Sequence, residues 1–159
     1  LASCKGFGIM KGMNSTANKK ILIVDDDKYL RDMYSSKFAE CNFNVESAEN
    51  GAEALEKISG DWQPDIYLVD IIMPMLATDN FNSTEEGGFK LIEELKRRGR
   101  RAGVALVILS NLGQKEDVEK ALALGVDGYI VKALSTPSEV VAKVSEISQH
   151  LAPHSASTP

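Results

Sequence analysis

"DIYLVDIIMP", residues 65–74, carries four apolar residues, Ile66 to Val69, straight into a single acid, Asp70, and leaves it through a proline turn. A short unbroken apolar run of this kind is what a strand covered on both faces shows. Working outward, "KILIV" (20–24), "FNVES" (43–47), "VALVIL" (104–109) and "GYIVK" (128–132) have the same short, β-branched character. Helical patterns over 27–40, 51–59, 88–98, 114–124 and 136–150 separate or follow them. Five strand–helix repeats predict an α/β fold, a doubly wound five-stranded parallel sheet with right-handed crossovers and helices on both faces.

Local signals fix some boundaries. "TPSE" at 136–139 places Thr136 as N-cap, Pro137 in the first helical position and Glu139 three residues after the cap, a capping box. The last helix therefore starts a few residues beyond Lys132. Gly125 stands just past the fourth helical pattern, where a left-handed residue is wanted.

With 159 residues, 43% of them hydrophobic, the chain has the makings of one core. Net charge is −5, and the first twenty residues contribute four lysines and no acid, so the remainder stands at −9. Such a body argues against a nucleic-acid surface and suits cations. Cys4 and Cys41 are too few and too scattered for a disulfide framework or a zinc site, which predicts a reducing cytoplasm. No apolar run reaches the ~20 residues that span a bilayer, so no membrane partner is expected. "LASC" at 1–4 resembles the end of a lipoprotein cleavage site, but no apolar run stands before it; the expectation is a flexible extension over 1–18, with a working start nearer Met10 or Met13. A domain over 19–150 and a frayed tail over 151–159 complete the expected organisation.

In an open α/β sheet, ligands bind beyond the carboxyl ends of the strands. Those positions hold Asp25, Asp26 and Asp27 after the first strand, Asp70 after the third, Ser110 after the fourth and Lys132 at the end of the fifth. Converging carboxylates repel unless a cation sits among them, and oxygen ligands with room for water suit Mg²⁺. A lysine, a hydroxyl and that cation make a cradle for a phosphoryl group. Asp70, on a central strand, is the carboxylate best placed to act as nucleophile. Each element alone has a plainer reading: Asp27 as the cap of the following helix, Ser110 as a loop hydroxyl, Lys132 as a surface charge.

Taken together, "ILIVDDD", "DIYLVDIIMP", "VILSN" and "GYIVK" in this order resemble the receiver domains of bacterial two-component response regulators, over about residues 19 to 148. The resemblance implies a stand-alone, chemotaxis-regulator-like domain with a flavodoxin-like (βα)5 fold and strand order 2-1-3-4-5. It implies Asp25, Asp26 and Asp70 as Mg²⁺ ligands with the backbone carbonyl of Ile72, and Asp70 as phosphoacceptor. Ser110 and Lys132 then contact the phosphoryl group, flanked by Ile72, Asn111 and Leu112. Tyr129 matches the aromatic switch residue; its plainer reading is a strand aromatic packed at the edge of the fourth helix, and both stay open. The implied partners are a histidine kinase or phosphotransfer protein and a downstream protein docking on the face of the fourth helix, fifth strand and fifth helix. A weak homodimer through that face is also implied.

Three features depart from the family pattern. Ala133 follows Lys132 where a proline, often cis, is usual; a cis bond before a non-proline costs about 2.5 to 4 kcal/mol, so a trans bond is expected. Ile72 and Leu112 are aliphatic, which predicts a long-lived phospho-Asp70 because neither can orient a hydrolytic water. About ten residues are inserted between Leu76 and Gly87, read as a tolerated surface insertion over 77–87 or, with Asp79, Glu85 and Glu86, as a lid or partner-selecting surface. The leading expectation is a phosphorylation-controlled switch or phosphorelay carrier that catalyses only its own phosphorylation and dephosphorylation. The alternatives are a phosphorylation-independent pseudo-receiver and an aspartyl phosphatase, the latter lacking a second carboxylate at Ile72.

Overall fold

A computed structural model describes residues 18–76 and 86–151. The expected extension before Asn18, the tail after Leu151 and the inserted residues 77–85 lie outside these residues. The chain runs β1 (Lys20–Val24), α1 (Lys28–Glu40), β2 (Asn44–Ala48), α2 (Gly51–Lys57), β3 (Ile66–Val69), α3 (Gly87–Arg98), β4 (Ala105–Ser110), α4 (Lys115–Ala123), β5 (Gly128–Val131) and α5 (Pro137–Leu151). A 3-10 turn, Lys132–Leu134, joins β5 to the last helix.

All strand pairs are parallel and the sheet order is β2-β1-β3-β4-β5. Side chains alternate between two cores, as strand geometry requires. Leu22, Val24, Tyr67, Val69, Leu106 and Ile108 face one core with Ala54, Leu91, Ile92 and Ala121 of α2, α3 and α4. Ile21, Ile23, Ile66, Leu68, Val107 and Leu109 face the other with Tyr34 and Phe38 of α1 and Val140 and Val144 of α5. Central strands β3 and β4 are buried at every residue, which is why their sequences carry no polar alternation; β2, on the edge, alternates exposed and half-buried residues until Ala48.

Capping signals act as their chemistry predicts. The Asp27 carboxylate accepts from Leu30 N at 3.1 Å and caps α1. Thr136 Oγ1 accepts from Glu139 N at 3.2 Å while Thr136 N donates to Glu139 Oε2 at 2.7 Å. Gly125 has a φ of 81°. No peptide bond among the described residues is cis, so Lys132–Ala133 is trans. Helix α2 ends at Lys57, two residues short of the predicted 59, with a 3.3 Å bond from Ile58 N to Ala54 O closing its last turn.

Candidate functional site

Register brings the predicted residues to one edge. Val24 pairs with Val69, so the next residues, Asp25 and Asp70, stand side by side as β1 and β3 end. Ser110 pairs with Val131, so Lys132 follows one residue beyond the end of β4. The Lys132 ammonium lies between both acids, donating to Asp25 Oδ2 at 2.6 Å and to Asp70 Oδ2 at 2.7 Å. All three side chains are at least nine-tenths buried. Lys132 belongs to the 3-10 turn rather than to β5, and that turn delivers it to the acids without a proline behind it.

The remaining carboxylate oxygens are held by backbone. Asp25 Oδ1 accepts from Asp27 N at 2.9 Å, and Asp70 Oδ1 from Ile72 N at 3.2 Å. Burial pushes the Asp70 carboxyl above the ordinary carboxylate range, and Lys132 offsets this only in part. Burial would lower the Lys132 ammonium, but Asp70 and Asp25 more than compensate and keep it charged. Asp26, at the mouth of the site, is also raised, first by desolvation and then by the Asp25 charge beside it.

Oxygen atoms of Asp25, Asp26 and Asp70 lie within 4.8 Å of one another. This all-oxygen donor set, two members buried and one open to solvent, fits a hard divalent cation such as Mg²⁺, which keeps several waters. Backbone carbonyls of Ile71, Met73, Pro74 and Met75 accept hydrogen bonds from the first turns of α2 and α3; the Ile72 carbonyl is not among these acceptors.

Ser110 sits at the end of β4, buried, but its hydroxyl makes no hydrogen bond to Asp70 or Lys132. It accepts from Leu112 N at 3.3 Å. The Leu112 carbonyl in turn accepts from the Tyr129 hydroxyl at 2.7 Å. One residue thus connects Ser110 to Tyr129. Burial raises the Tyr129 phenol to about 12, followed by the charges of Asp117 and Asp70, so it remains a donor at neutral pH. Its ring packs on the core under α2, α3 and α4. Ile72 and Asn111 are exposed and Leu112 is half-buried.

Two features escaped the sequence reading. Arg31 Nη1 donates to the Asp25 carbonyl at 2.7 Å and fixes the acidic loop from behind. Gly87 and Gly88 let α3 start directly against the strand exit: Gly87 N donates to Met73 O and Gly88 N to Ile71 O, both at 3.0 Å. A Cβ on Gly88 would lie 2.1 Å from the Asp70 carbonyl oxygen. The sequence signal was the Gly-Gly pair at a helix start, where a polar cap is usual.

Known proteins share this fold. The family described as response regulator receiver domain matches residues 21–145. The chain is 33% identical over 129 residues to chemotaxis protein CheY of Halobacterium salinarum, covering 81% of this chain and 96% of that one. It is 28% identical over 135 residues to the phosphate regulon transcriptional regulatory protein PhoB of Escherichia coli, covering 85% of this chain but 54% of the relative, so it spans about half the length of that regulator. Among solved structures, the CheY-like receiver domain protein from Methanospirillum hungatei JF-1 superposes with a TM-score of 0.70 at 26% identity, over 85% of this chain and 97% of that one. The chain belongs to the response regulator receiver domain family, whose members are signalling domains of two-component systems rather than classical enzymes.

Proposed function

We propose that the chain is a phosphorylation-controlled switch in which Asp70 takes a phosphoryl group from the phosphohistidine of a histidine kinase or phosphotransfer protein in the cytoplasm. The observation that carries this reading is the buried Lys132 ammonium between the Asp25 and Asp70 carboxylates, 2.6 and 2.7 Å away, at the carboxyl edge of the sheet. An Asp70 carboxylate oxygen attacks phosphorus, the phosphorus–nitrogen bond breaks, and the imidazole leaves with a proton. Lys132 holds Asp70 in place before transfer and pairs with the added phosphoryl oxygens after it. Asp25, Asp26, Asp70 and the Ile72 carbonyl would hold Mg²⁺, which when bound neutralises phosphoryl charge.

The donor must reach a carboxylate only 7% exposed, so it covers the rim of the site. Tyr29 on the first turn of α1, Ile72 after β3 and Leu134 after β5 are large apolar side chains left exposed on that rim, 76%, 37% and 79%, and supply its contact surface. On the output side, the Ser110 hydroxyl exchanges its Leu112 N–H partner for a phosphoryl oxygen. The Leu112–Tyr129 link carries that change to the α4-β5-α5 face, where a downstream protein docks.

The test is intact mass after incubation with Mg²⁺ and a small phosphodonor, for wild type and Asp70→Asn. A gain of one phosphate in wild type alone is expected. No gain in either protein leaves a phosphorylation-independent interaction module, and continuous turnover of the donor without accumulation points to a phosphatase.

A further inference from the structure

The edge of the sheet opposite Asp70 carries a feature that phosphorylation chemistry does not use. Between Lys96 and Arg101 the chain places five cations in six positions, in a protein of net charge −5. The carboxyl end of a helix favours lysine and arginine, which accounts for Lys96, Arg97 and Arg98 at the end of α3. It does not account for Arg100 and Arg101, which lie past the helix and past Gly99 at a φ of 84°.

These two arginines are built into the edge. Arg100 Nη1 bonds Asp127 Oδ2 at 2.5 Å, and the same oxygen accepts from Leu106 N at 2.8 Å. Arg101 Nη2 bonds Asp65 Oδ1 at 3.1 Å, while Asp65 Oδ2 accepts from Lys20 N at 2.9 Å. Arg97 and Arg98 share the single carboxylate of Glu94. Five cations therefore meet three carboxylates, which leaves a local surplus of two.

Two cavities of about 250 and 240 Å³ open beside this cluster and share Tyr67, Leu95 and Arg100 as a common wall. Lys96 and Leu124 line the first; Arg98 and Ile58 line the second. The first is largely apolar inside, the second mixes polar and apolar lining, and both are cationic at the rim. Tyr67, Arg98 and Arg101 line the second cavity together.

We propose that this edge is a second docking site, which takes an acidic peptide segment of a partner protein with an apolar residue beside its acids. An apolar hollow and a mixed, arginine-lined hollow on either side of Arg100 match an apolar side chain next to carboxylates better than one compact ligand. A local surplus of only two charges on a net-acidic protein suits a short acidic segment. A nucleic acid would be repelled by the rest of the body and would leave the apolar hollow unfilled. The site is independent of Asp70, so it is tested on unphosphorylated protein.

The experiment is fluorescence anisotropy of a labelled peptide of Leu-Glu-Glu repeats titrated with the full chain at low and at physiological salt. Wild type should bind it, more tightly at low salt, and the double variant Lys96→Ala/Arg98→Ala should bind about tenfold more weakly. The double variant Lys28→Ala/Lys115→Ala removes the same charge from exposed positions elsewhere and should bind like wild type. Equal weakening in both variants would mean attraction to overall charge and would overturn the proposal. So would the absence of binding, or tighter binding of a single-stranded oligothymidylate through Lys96 and Arg98.

Discussion

Replacing Gly88 by alanine tests how the third helix is seated on the acid site. The added Cβ would lie 2.1 Å from the Asp70 carbonyl oxygen, 2.6 Å from Ile71 Cα and 2.9 Å from the Asp70 carbonyl carbon, all backbone atoms. Ordinary contact begins near 3.4 Å, so the methyl group demands a retreat of about 1.3 Å from atoms that have no rotamer to change. Overpacking of this kind costs about 1–3 kcal/mol. Alanine's better helix propensity returns up to about 1 kcal/mol. The net expectation is a loss of about 1–2 kcal/mol, or roughly 2–8 °C in Tm for a chain of this length. Because the clash falls on the residue carrying the proposed phosphoacceptor, Mg²⁺-dependent phosphorylation should slow as well; a misplacement of about 1 Å is worth up to ~100-fold. Gly60→Ala is the control, since a Cβ there meets nothing within 4 Å, and it should stay within about 0.5 kcal/mol of wild type. Thermal unfolding and intact-mass phosphorylation time courses read both effects. A Gly88→Ala protein that melts at or above wild type and phosphorylates at the wild-type rate would refute the close seating of α3 on Asp70 and Ile71.

Asp26→Asn should raise the Tm of metal-free protein at neutral pH. Its carboxyl is raised in the fold, so the ionised group weakens the fold at neutral pH and is without effect below the ordinary carboxylate range, where both states are protonated. The gain should fade as pH falls through that range, and the rise in Tm with added Mg²⁺ should shrink in the variant; thermal scans across acid and neutral pH, with and without Mg²⁺, check both. Thr136→Ala removes the bond from Glu139 N to the Thr136 hydroxyl, leaving the Thr136 backbone N–H still able to donate to Glu139, and should cost about 1 kcal/mol in urea unfolding with no change in slope. Phospho-Asp70 should persist well beyond seconds after donor removal, because Ile72 and Leu112 offer a water only aliphatic surface; decay of the phosphorylated mass within seconds counts against it.

The alternation of elements was legible because period-2 and period-3.6 patterns are local, and the caps at Asp27, Thr136 and Gly125 were legible because each uses a group within three residues. Strand order was not local in that sense and came from the family resemblance. The sequence pattern put Asp25, Asp70 and Lys132 on one edge, but only the register made Lys132 the bridge between the other two. Gly87 read only as the end of the insertion and Gly88 as the start of a helical pattern, since nothing in a lone chain says that backbone will approach within contact of them. Arg31 carried no signal in the sequence, because its acceptor is a carbonyl, invisible in side-chain patterns. The basic run at 96–101 was hidden by an average: net charge is acidic, and only folding collects the cations beside two cavities.

The inserted stretch after Asp70 can be judged from where its described flanks are anchored. On the way out, the Pro74 and Met75 carbonyls accept from Gly51 N and Ala52 N at the start of α2, at 3.3 and 2.8 Å. On the way back, Glu86 forms a parallel bridge with Met73, and its carboxylate pairs with Lys120 of α4, whose ammonium lies 4.2 Å from the Phe89 ring centroid. Both flanks are therefore fixed by backbone bonds close to one another, and among the described residues Ile72 N and Lys132 hold the Asp70 carboxylate. With both flanks fixed, loop length enters stability through closure entropy, about 0.6 kcal/mol per doubling. Replacing 77–85 with a short Gly/Ser link that keeps Leu76 and Glu86 should change stability by no more than about 1 kcal/mol. It should also leave Mg²⁺-dependent phosphorylation of Asp70 by a small donor unchanged. If the shortened protein phosphorylates markedly faster or slower while its Tm holds, the segment acts on the site and the surface-insertion reading fails. If only transfer from a protein donor changes, the segment selects partners, and the anchored flanks are what present it to them.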